Sequence, residues 1–331
     1  MNFFKVKKRK HFLCFSIVLI LAVSIVTLLI SNHKNEPVSE TRFMLDTVCT
    51  VTLYEWQGDS GKIIDNAFDI CSECEKRFSQ TISCSDIYKI NHSKGNPTNV
   101  SPETSALLRR SIEYCRMSGG EFDITIAPVK ALWNFNGDNY SIPDTVALEK
   151  AASKVDYTKI CVDEQTVTLP DGMGIDLGAI AKGYIADRIA EYLVSSGVTS
   201  AIIDLGGNIY VIGRRPDGEL WRIGIRKPFS DVEADVVEAA DSSVVTSGVY
   251  QRYFEKDGFL YHHILRSSDG FPCDTGLHSV TVISKSSEQC DALSTMCMLL
   301  GYERSLPVLS EYSEISAVFI TSDGKLLYYG K

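Results

Sequence analysis

The chain has 331 residues, of which 44% are hydrophobic, 23% charged and 10% aromatic. That is enough apolar material for one large domain or two ordinary ones, and it excludes a disordered, collagen-like or low-complexity chain. The net charge of −9 is uneven: residues 1–11 carry five cations and no acid, so the remainder stands at −14. An acidic body lacks the basic stripe that displaces counterions, so no nucleic-acid partner is expected.

Residues 12–30 are 19 consecutive uncharged residues rich in Leu, Ile and Val. As a helix they would be roughly 28 Å long, close to the hydrocarbon thickness of a bilayer. The cations before this run predict a cytoplasmic segment over 1–11, a single transmembrane span over 12–30, and a body on the extracytoplasmic side of the cell membrane. The run is long for a signal-peptide core and no A-x-A pattern follows it, so it reads as an uncleaved signal anchor. Residues 31–41 then form a tether, and 42–331 the exported domain. Ten cysteines occur, nine of them after the span. Cys71-x-x-Cys74 has no second pair to complete a zinc site, so scattered core cysteines are expected, with one or two adventitious disulfides outside the cell.

In chain order, residues 43–56 alternate and are rich in Thr, Val and Tyr, which predicts a strand. Residues 60–78 place Ile63, Ile64, Ala67, Phe68, Cys71 and Cys74 at helical spacing. Ser101-Pro102-Glu103 is an N-cap followed by proline at N1, opening a helix that ends before Gly119-Gly120. Residues 160–169 read as a strand pair. Residues 179–196 read as a helix stopped by Gly197. Strands are expected at 201–205, 209–213, 221–226, 243–247, 261–265 and 280–284. A helix is expected at 288–300, then strands at 315–320 and 326–329. Consecutive strands separated by a few helices predict an α+β fold with mixed or antiparallel sheets.

Four motifs can carry chemistry. In Gly174-Ile-Asp-Leu-Gly-Ala-Ile-Ala-Lys-Gly183 a short apolar segment ends at Asp176 and Gly178, and a helix begins at once. The first turn of a helix offers free N–H groups and the positive dipole end, and Lys182 adds a charge there, so the segment suits an anion; a capped helix with a solvated lysine is the plainer alternative. Gly183 lets another backbone or a ligand approach. Asp204-Leu-Gly-Gly-Asn208 reads as a tight turn or a close ligand approach. Of His262 and His263, adjacent on a strand, only one can face a given pocket. Asp291 and Thr295 share a helix face, and a carboxylate with a hydroxyl suits a hard cation such as Mg²⁺, unless the hydroxyl simply bonds back within the helix. No H-E-x-x-H or G-x-S-x-G occurs, which removes support for zinc and serine hydrolysis.

Taken together and in order, these motifs resemble the ApbE-type FAD:protein FMN transferases. The resemblance runs from about Arg42 to the C-terminus. It rests on Phe122-Asp-Ile-Thr-Ile-Ala-Pro128 with Leu132-Trp133, Asp176-Leu-Gly-Ala-Ile-Ala-Lys-Gly183, Asp204-Leu-Gly-Gly-Asn208, Ser247-Gly-x-Tyr-x-Arg252, His262-His-Ile264 and Asp291-Ala-Leu-Ser-Thr295. It implies an enzyme that cuts FAD between its phosphates, attaches FMN to a Thr or Ser hydroxyl of a partner protein and releases AMP. Such partners resemble exported flavin-carrying electron-transport subunits. FAD pyrophosphatase activity and non-catalytic flavin binding are the alternatives. The implied fold has two lobes with FAD between them. By resemblance, FAD contacts map onto Leu45, Thr81, Glu121, Phe122, Asp123, Asp176, Lys182 and Leu265. Mg²⁺ ligands map onto the Ala179 backbone oxygen, Asp291 and Thr295. His263 is the candidate base, with a pKa expected near the working pH. The pattern departs at Leu45-Asp46-Thr47, where Met-Gly-Thr is usual, at Arg266-Ser267, where Asp-Pro is common, and at Thr81, where an aromatic is frequent.

Overall fold

The computed structural model describes residues 36–135 and 140–330. The basic segment, the expected span at 12–30 and residues 31–35 of the tether lie outside the described residues. Among the described residues no helix is long and apolar enough to cross a membrane.

The helices form where spacing and caps direct them. Ser60–Phe78 buries Ile63, Ile64, Ala67, Phe68, Cys71 and Cys74 along one stripe, and Asp59 accepts the Lys62 N–H at its start. Ser101 Oγ accepts the Thr104 N–H at 3.2 Å and Pro102 fills the first position of Pro102–Met117. The single strand expected over 43–56 is instead a hairpin, Val38–Met44 paired antiparallel with Thr47–Glu55. Its turn is Leu45-Asp46, with φ of 54° and 58°. Non-glycine residues in this left-handed region cost about 1–2 kcal/mol each. No Gly, Asn or Pro marks the turn, so the alternation reads straight through it. Two contacts hold it: the Leu45 N–H donates to Glu75 Oε1 at 3.1 Å, and Arg252 Nη2 donates to Asp46 Oδ2 at 2.8 Å.

The hairpin is one edge of an eight-stranded antiparallel sheet. Across it the order continues Ser200–Leu205, Asn208–Ile212, Ser242–Gly248, Leu277–Ser284, Ser316–Thr321 and Leu326–Tyr329. One face carries helices Ser60–Phe78, Ala181–Ser195 and Ser287–Leu300, and the main core lies between them and the strands. Ser287–Leu300 is buried nearly all round, as a helix at the centre of a core must be. The other face is partly covered by the ribbon Trp221–Arg226 with Glu233–Ala239, which makes a second apolar cluster. Val244 joins that cluster and Val245 the main core, the alternation of a strand covered on both faces. The α+β class expected from the sequence is the class observed, and Val38–Lys331 forms one compact unit.

Several elements have weak sequence signals. Tyr302–Leu309 is a helix although Pro307 lies inside it, and Glu233–Ala239 has three half-buried residues in succession, so its alternation is blurred. The strand expected at 261–265 is Phe259–His262, paired with Tyr253–Lys256. All nine cysteines among the described residues are free, and only Cys84 and Cys161 are exposed.

Candidate active site

A cleft of about 1040 Å³ opens beside the sheet and adjoins a deeper cavity of about 130 Å³. Leu45, Thr81, Asp176, Lys182 and His263 line the cleft. Glu121, Phe122, Asp123, Ala179, Leu265, Asp291 and Thr295 line the cavity, which also shares Asp176, Lys182 and His263 with the cleft. The fold thus gathers residues from six separate motifs around one continuous space.

Asp176 is fixed first. Segment 122–126 runs beside it: the Asp176 N–H donates to the Ile124 carbonyl at 2.8 Å, and Ile126 bridges Gly174. One residue earlier, the Asn91 amide clamps the Ile175 backbone, donating to its carbonyl at 2.9 Å and accepting its N–H at 2.7 Å. Asp176 is buried, 7% exposed as a residue. It accepts from Lys130 Nζ at 2.6 Å, Gln80 Nε2 at 2.9 Å and the Gly178 N–H at 2.6 Å. Burial by itself would push its pKa up, but the Lys130 ammonium and these N–H donors hold it below the ordinary carboxylate range.

Helix Ala181–Ser195 starts without a side-chain cap. The Gly183 N–H, which in a continuous helix would take the Ala179 carbonyl, donates to Asp291 Oδ2 at 2.9 Å. The Ala179 oxygen therefore has no backbone donor among the described residues. This exchange needs two helix starts in contact, and Gly183 permits it: a Cβ there would meet the Ser287 carbonyl oxygen at 2.2 Å. Asp187, one turn after Gly183, caps the second helix by accepting from Ser286 Oγ and the N–H groups of Ser287 and Glu288 at 2.7–3.0 Å. Lys182 is in no ion pair among the described residues and its Nζ lies 3.4 Å from the Gly178 carbonyl. A cation in the first turn sits at the unfavourable end of the helix dipole unless an anion joins it.

Asp291 is 3% exposed and its Oδ1 takes no protein hydrogen bond among the described residues. Ser294, not Thr295, bonds back to the Asp291 carbonyl. Thr295 Oγ1 is 3.0 Å from Ser247 Oγ. The cavity thus presents an unused carboxylate oxygen, a hydroxyl and a freed carbonyl. An oxygen-only set with one charge fits a hard divalent cation that completes its shell from water or phosphate. No group of three His, Cys, Asp or Glu able to hold a metal occurs among the described residues.

The two histidines part as strand geometry requires. His262 is buried, with Nε2 3.0 Å from the Cys273 carbonyl, and desolvation pushes its pKa down to about 4. His263 is half-buried and faces the cleft. Its Nδ1 lies 3.3 Å from the Arg252 carbonyl. A carbonyl only accepts, so Nδ1 carries the proton and Nε2 is the basic nitrogen. Burial and then the Lys130 charge push its pKa down to about 3. This corrects the expectation of a pKa near the working pH: the ring is neutral throughout the physiological range, because it is held among protein atoms beside a cation.

The remaining expected residues border the space with side chains already engaged or apolar. Glu121 accepts from Arg304 Nη2 at 2.9 Å. Phe122 and Leu265 are buried apolar wall. The Asp123 carboxylate accepts from Thr125 N–H and Oγ1 at 2.7 Å and from Tyr157 N–H at 2.9 Å, and burial still raises its pKa. Thr81 is held by Ser79. Leu45 sits in the strained turn described above. Lys130, Gln80 and Glu75 also line the cleft and were not singled out by the sequence. Lys130 could have been sought as the cation that a buried Asp176 requires, but nothing in its spacing points across 46 residues.

The ApbE family profile matches residues 45–319. The chain is 34% identical over 310 residues to a protein named FAD:protein FMN transferase from Treponema pallidum, covering 87% of this chain and 85% of that one. It is 36% identical over 249 residues to one of the same name from Klebsiella pneumoniae, covering 73% and 77%. The crystal structure of the ApbE protein from Thermotoga maritima aligns with a TM-score of 0.82 at 28% identity, over 89% of this chain and 97% of that one. The flavin transferase ApbE from Vibrio cholerae aligns with a TM-score of 0.80 at 27% identity, over 89% and 96%. With the profile spanning the helix start at Lys182, the Gly206-Gly207 turn and the Asp291 helix alike, the chain belongs to the ApbE family.

Proposed function

We propose that this enzyme cleaves FAD between its two phosphates and joins the FMN half, as a phosphoester, to a threonine or serine hydroxyl of a partner protein, releasing AMP. The observation that carries the reading is the convergence, in one cleft, of a helix start bearing Lys182 and lacking a side-chain cap of its own with a neighbouring pocket of oxygens from Asp291, Thr295 and Ala179. The first attracts a diphosphate and the second a cation able to neutralise it. Phosphoryl transfer asks mainly for such positioning and charge stabilisation.

Lys182 holds the diphosphate oxygens with its ammonium and its own backbone N–H, since the neighbouring N–H groups of Ala181, Gly183 and Tyr184 are already bonded within the protein. Asp291, Thr295 and the Ala179 carbonyl hold Mg²⁺, which when bound draws charge from the diphosphate. Leu45, Thr81, Glu121, Phe122, Asp123, Asp176 and Leu265 shape the two sides between which FAD lies, in the manner of two lobes. His263 accepts the acceptor-hydroxyl proton at Nε2 while its Nδ1–H stays on the Arg252 carbonyl. An approaching diphosphate anion raises its pKa, which brings it toward useful basicity. The acceptor is an exported or membrane-bound protein of electron-transport type, and the N-terminal segment keeps the enzyme in the cell membrane with its catalytic body on the extracytoplasmic side.

The test is product analysis. A fragment beginning at Glu36, mixed with FAD, Mg²⁺ and an acceptor carrying a Thr flavinylation site, is expected to give AMP and a covalently fluorescent acceptor on a denaturing gel. An acceptor with that Thr changed to Val stays dark. Equal release of AMP and free FMN with or without acceptor, and no label on any acceptor, would make hydrolysis the reaction.

A further inference from the structure

Asn208 begins the strand Asn208–Ile212, just past the Gly206-Gly207 turn, and is 1% exposed. It borders the same cavity of about 130 Å³ as Lys182, Asp291 and Thr295. Ser287 Oγ donates to Asn208 Oδ1 at 2.7 Å, and Ser243 Oγ donates to Ser287 Oγ at 2.8 Å. The oxygen end of the amide is thus tied to the start of helix Ser287–Leu300. The nitrogen end is not tied to anything: Asn208 Nδ2 is one of two buried side-chain polar atoms without a hydrogen-bond partner among the described residues. Native proteins leave few such groups, because an unpaired buried amide is costly.

The chemistry of the missing partner follows from the donor. An amide N–H only donates, so the partner is an acceptor and not a cation. At 1% exposure bulk water does not supply it. An oxygen carried in by a ligand does. Position then selects the kind of oxygen. Gly206 and Gly207 border both the open cleft and the inner cavity, and a Cβ at Gly207 would meet nothing within 4 Å. A ligand that reaches from the cleft to the cation-binding oxygens passes this bare turn, and Asn208 is the residue that follows it. In FAD the part that must meet both the cation and Lys182 is the diphosphate. A neutral donor suits that place, because it adds a hydrogen bond to an anion without the repulsion that a second ammonium would exert on the dication.

We propose that the Asn208 side-chain N–H₂ group donates to a diphosphate oxygen of bound FAD, as a further binding residue beside Lys182. The proposal rests on the FAD reading given above. It also gives the unpaired donor a use. The free protein carries the cost of the unmet hydrogen bond, and binding of the diphosphate removes it, so the amide favours the phosphate-bearing part of the ligand.

The test compares adenosine with ADP, the diphosphate-bearing half of FAD, by calorimetric titration in Mg²⁺. Asn208→Asp keeps an oxygen for the Ser287 proton and puts a second, negatively charged oxygen where the donor was. Asn208→Ala removes the donor and adds no charge. Each is expected to weaken ADP binding about tenfold or more and to leave adenosine nearly unchanged. Undiminished ADP binding in either variant overturns the proposal, and so does an equal loss for both ligands, which would make the amide purely structural. A measurement on the wild-type protein needs no variant to fold: in ¹⁵N-asparagine-labelled protein the Asn208 side-chain N–H₂ proton signals are expected to move downfield with ADP and not with adenosine. Signals that stay in place at saturating ADP overturn the proposal. The wild-type titration separates the two levels. If wild-type protein binds ADP no more tightly than adenosine, the diphosphate reading itself fails, and the Asn208 proposal with it; if it prefers ADP and both variants keep that preference, the Asn208 proposal alone fails.

Discussion

Gly183 and Ser287 meet backbone to backbone, with the Cβ that Gly183 lacks falling 2.2 Å from the Ser287 carbonyl oxygen and 2.6 Å from its carbonyl carbon. This contact sets two helix starts against each other and lets the Asp291 carboxylate reach the Gly183 N–H. Gly183→Ala has no flexible neighbour to displace, only backbone. It is expected to cost at least the roughly 1–3 kcal/mol of an overpacked core site, read as a lower urea midpoint. It should also weaken Mg²⁺-dependent activity, because the Ala179 carbonyl and Asp291 are positioned by the same contact. An unchanged midpoint would show that the helices separate more easily than the packing implies.

The ion pair of Asp176 with Lys130 is unequal, since the aspartate side chain is 6% exposed and the lysine 34%. Lys130→Met strands a buried carboxylate. A fully buried pair broken this way costs about 3–5 kcal/mol. With one partner partly in water the cost here is expected at roughly 1–3 kcal/mol. Adding Asp176→Asn should recover part of it. Urea unfolding of the two single variants and the double variant at pH 7 measures the coupling, and strict additivity would show that the pair contributes nothing.

Lys182→Ala is expected to raise the FAD dissociation constant roughly ten- to a hundredfold, the loss of a charged hydrogen bond. Without FAD its melting temperature should hardly move, since Lys182 has no ionic partner in the protein among the described residues. Fluorescence titration with FAD and thermal melts of the free protein separate the two effects. A strongly destabilised free protein with unchanged FAD affinity would favour a purely structural lysine.

Asp291→Asn retains an oxygen for the Gly183 N–H, so the fold should survive. Loss of the charge is expected to lower turnover by about 10²–10³-fold, typical for a transition-state charge stabiliser. The Mg²⁺ midpoint should rise with it. Wild-type turnover at an unchanged midpoint would remove Asp291 from the metal site.

His262 and His263 predict sensitivity to acid. Both have folded pKa values below the ordinary 6.5, about 4 and about 3, because burial disfavours the imidazolium. The neutral rings thus contribute fully above pH 6.5, and the contribution fades as pH falls from there toward 4. For the well-buried His262 the loss is on the order of 3 kcal/mol. His262→Gln should flatten this part of the stability profile, measured as urea midpoints between pH 7 and 4. A wild-type profile that stays level over that range would show that the folded rings take up their protons as readily as those of the unfolded chain.

Much of the fold is legible locally. The stripe from Ile63 to Cys74, the Ser101-Pro102 start and the strand runs on either side of Gly206-Gly207 each encode their element within about a dozen residues, because periodicity and caps are short-range signals. The Leu45-Asp46 turn is not legible, since its two left-handed residues are held by Glu75 and Arg252 from elsewhere in the chain. The same division holds for the site. Lys182 at a helix start, and Asp291 with Thr295 one turn apart, stand out as candidates for an anion and a hard cation by local chemistry, each beside a plainer structural alternative. The proton on His263, the cation opposite Asp176 and the orphaned amide of Asn208 do not, because each depends on burial and on a partner distant in sequence. A side chain's type is written at its own position, but its charge state and its unmet hydrogen bonds are properties of the atoms packed around it, and only the tertiary structure supplies those.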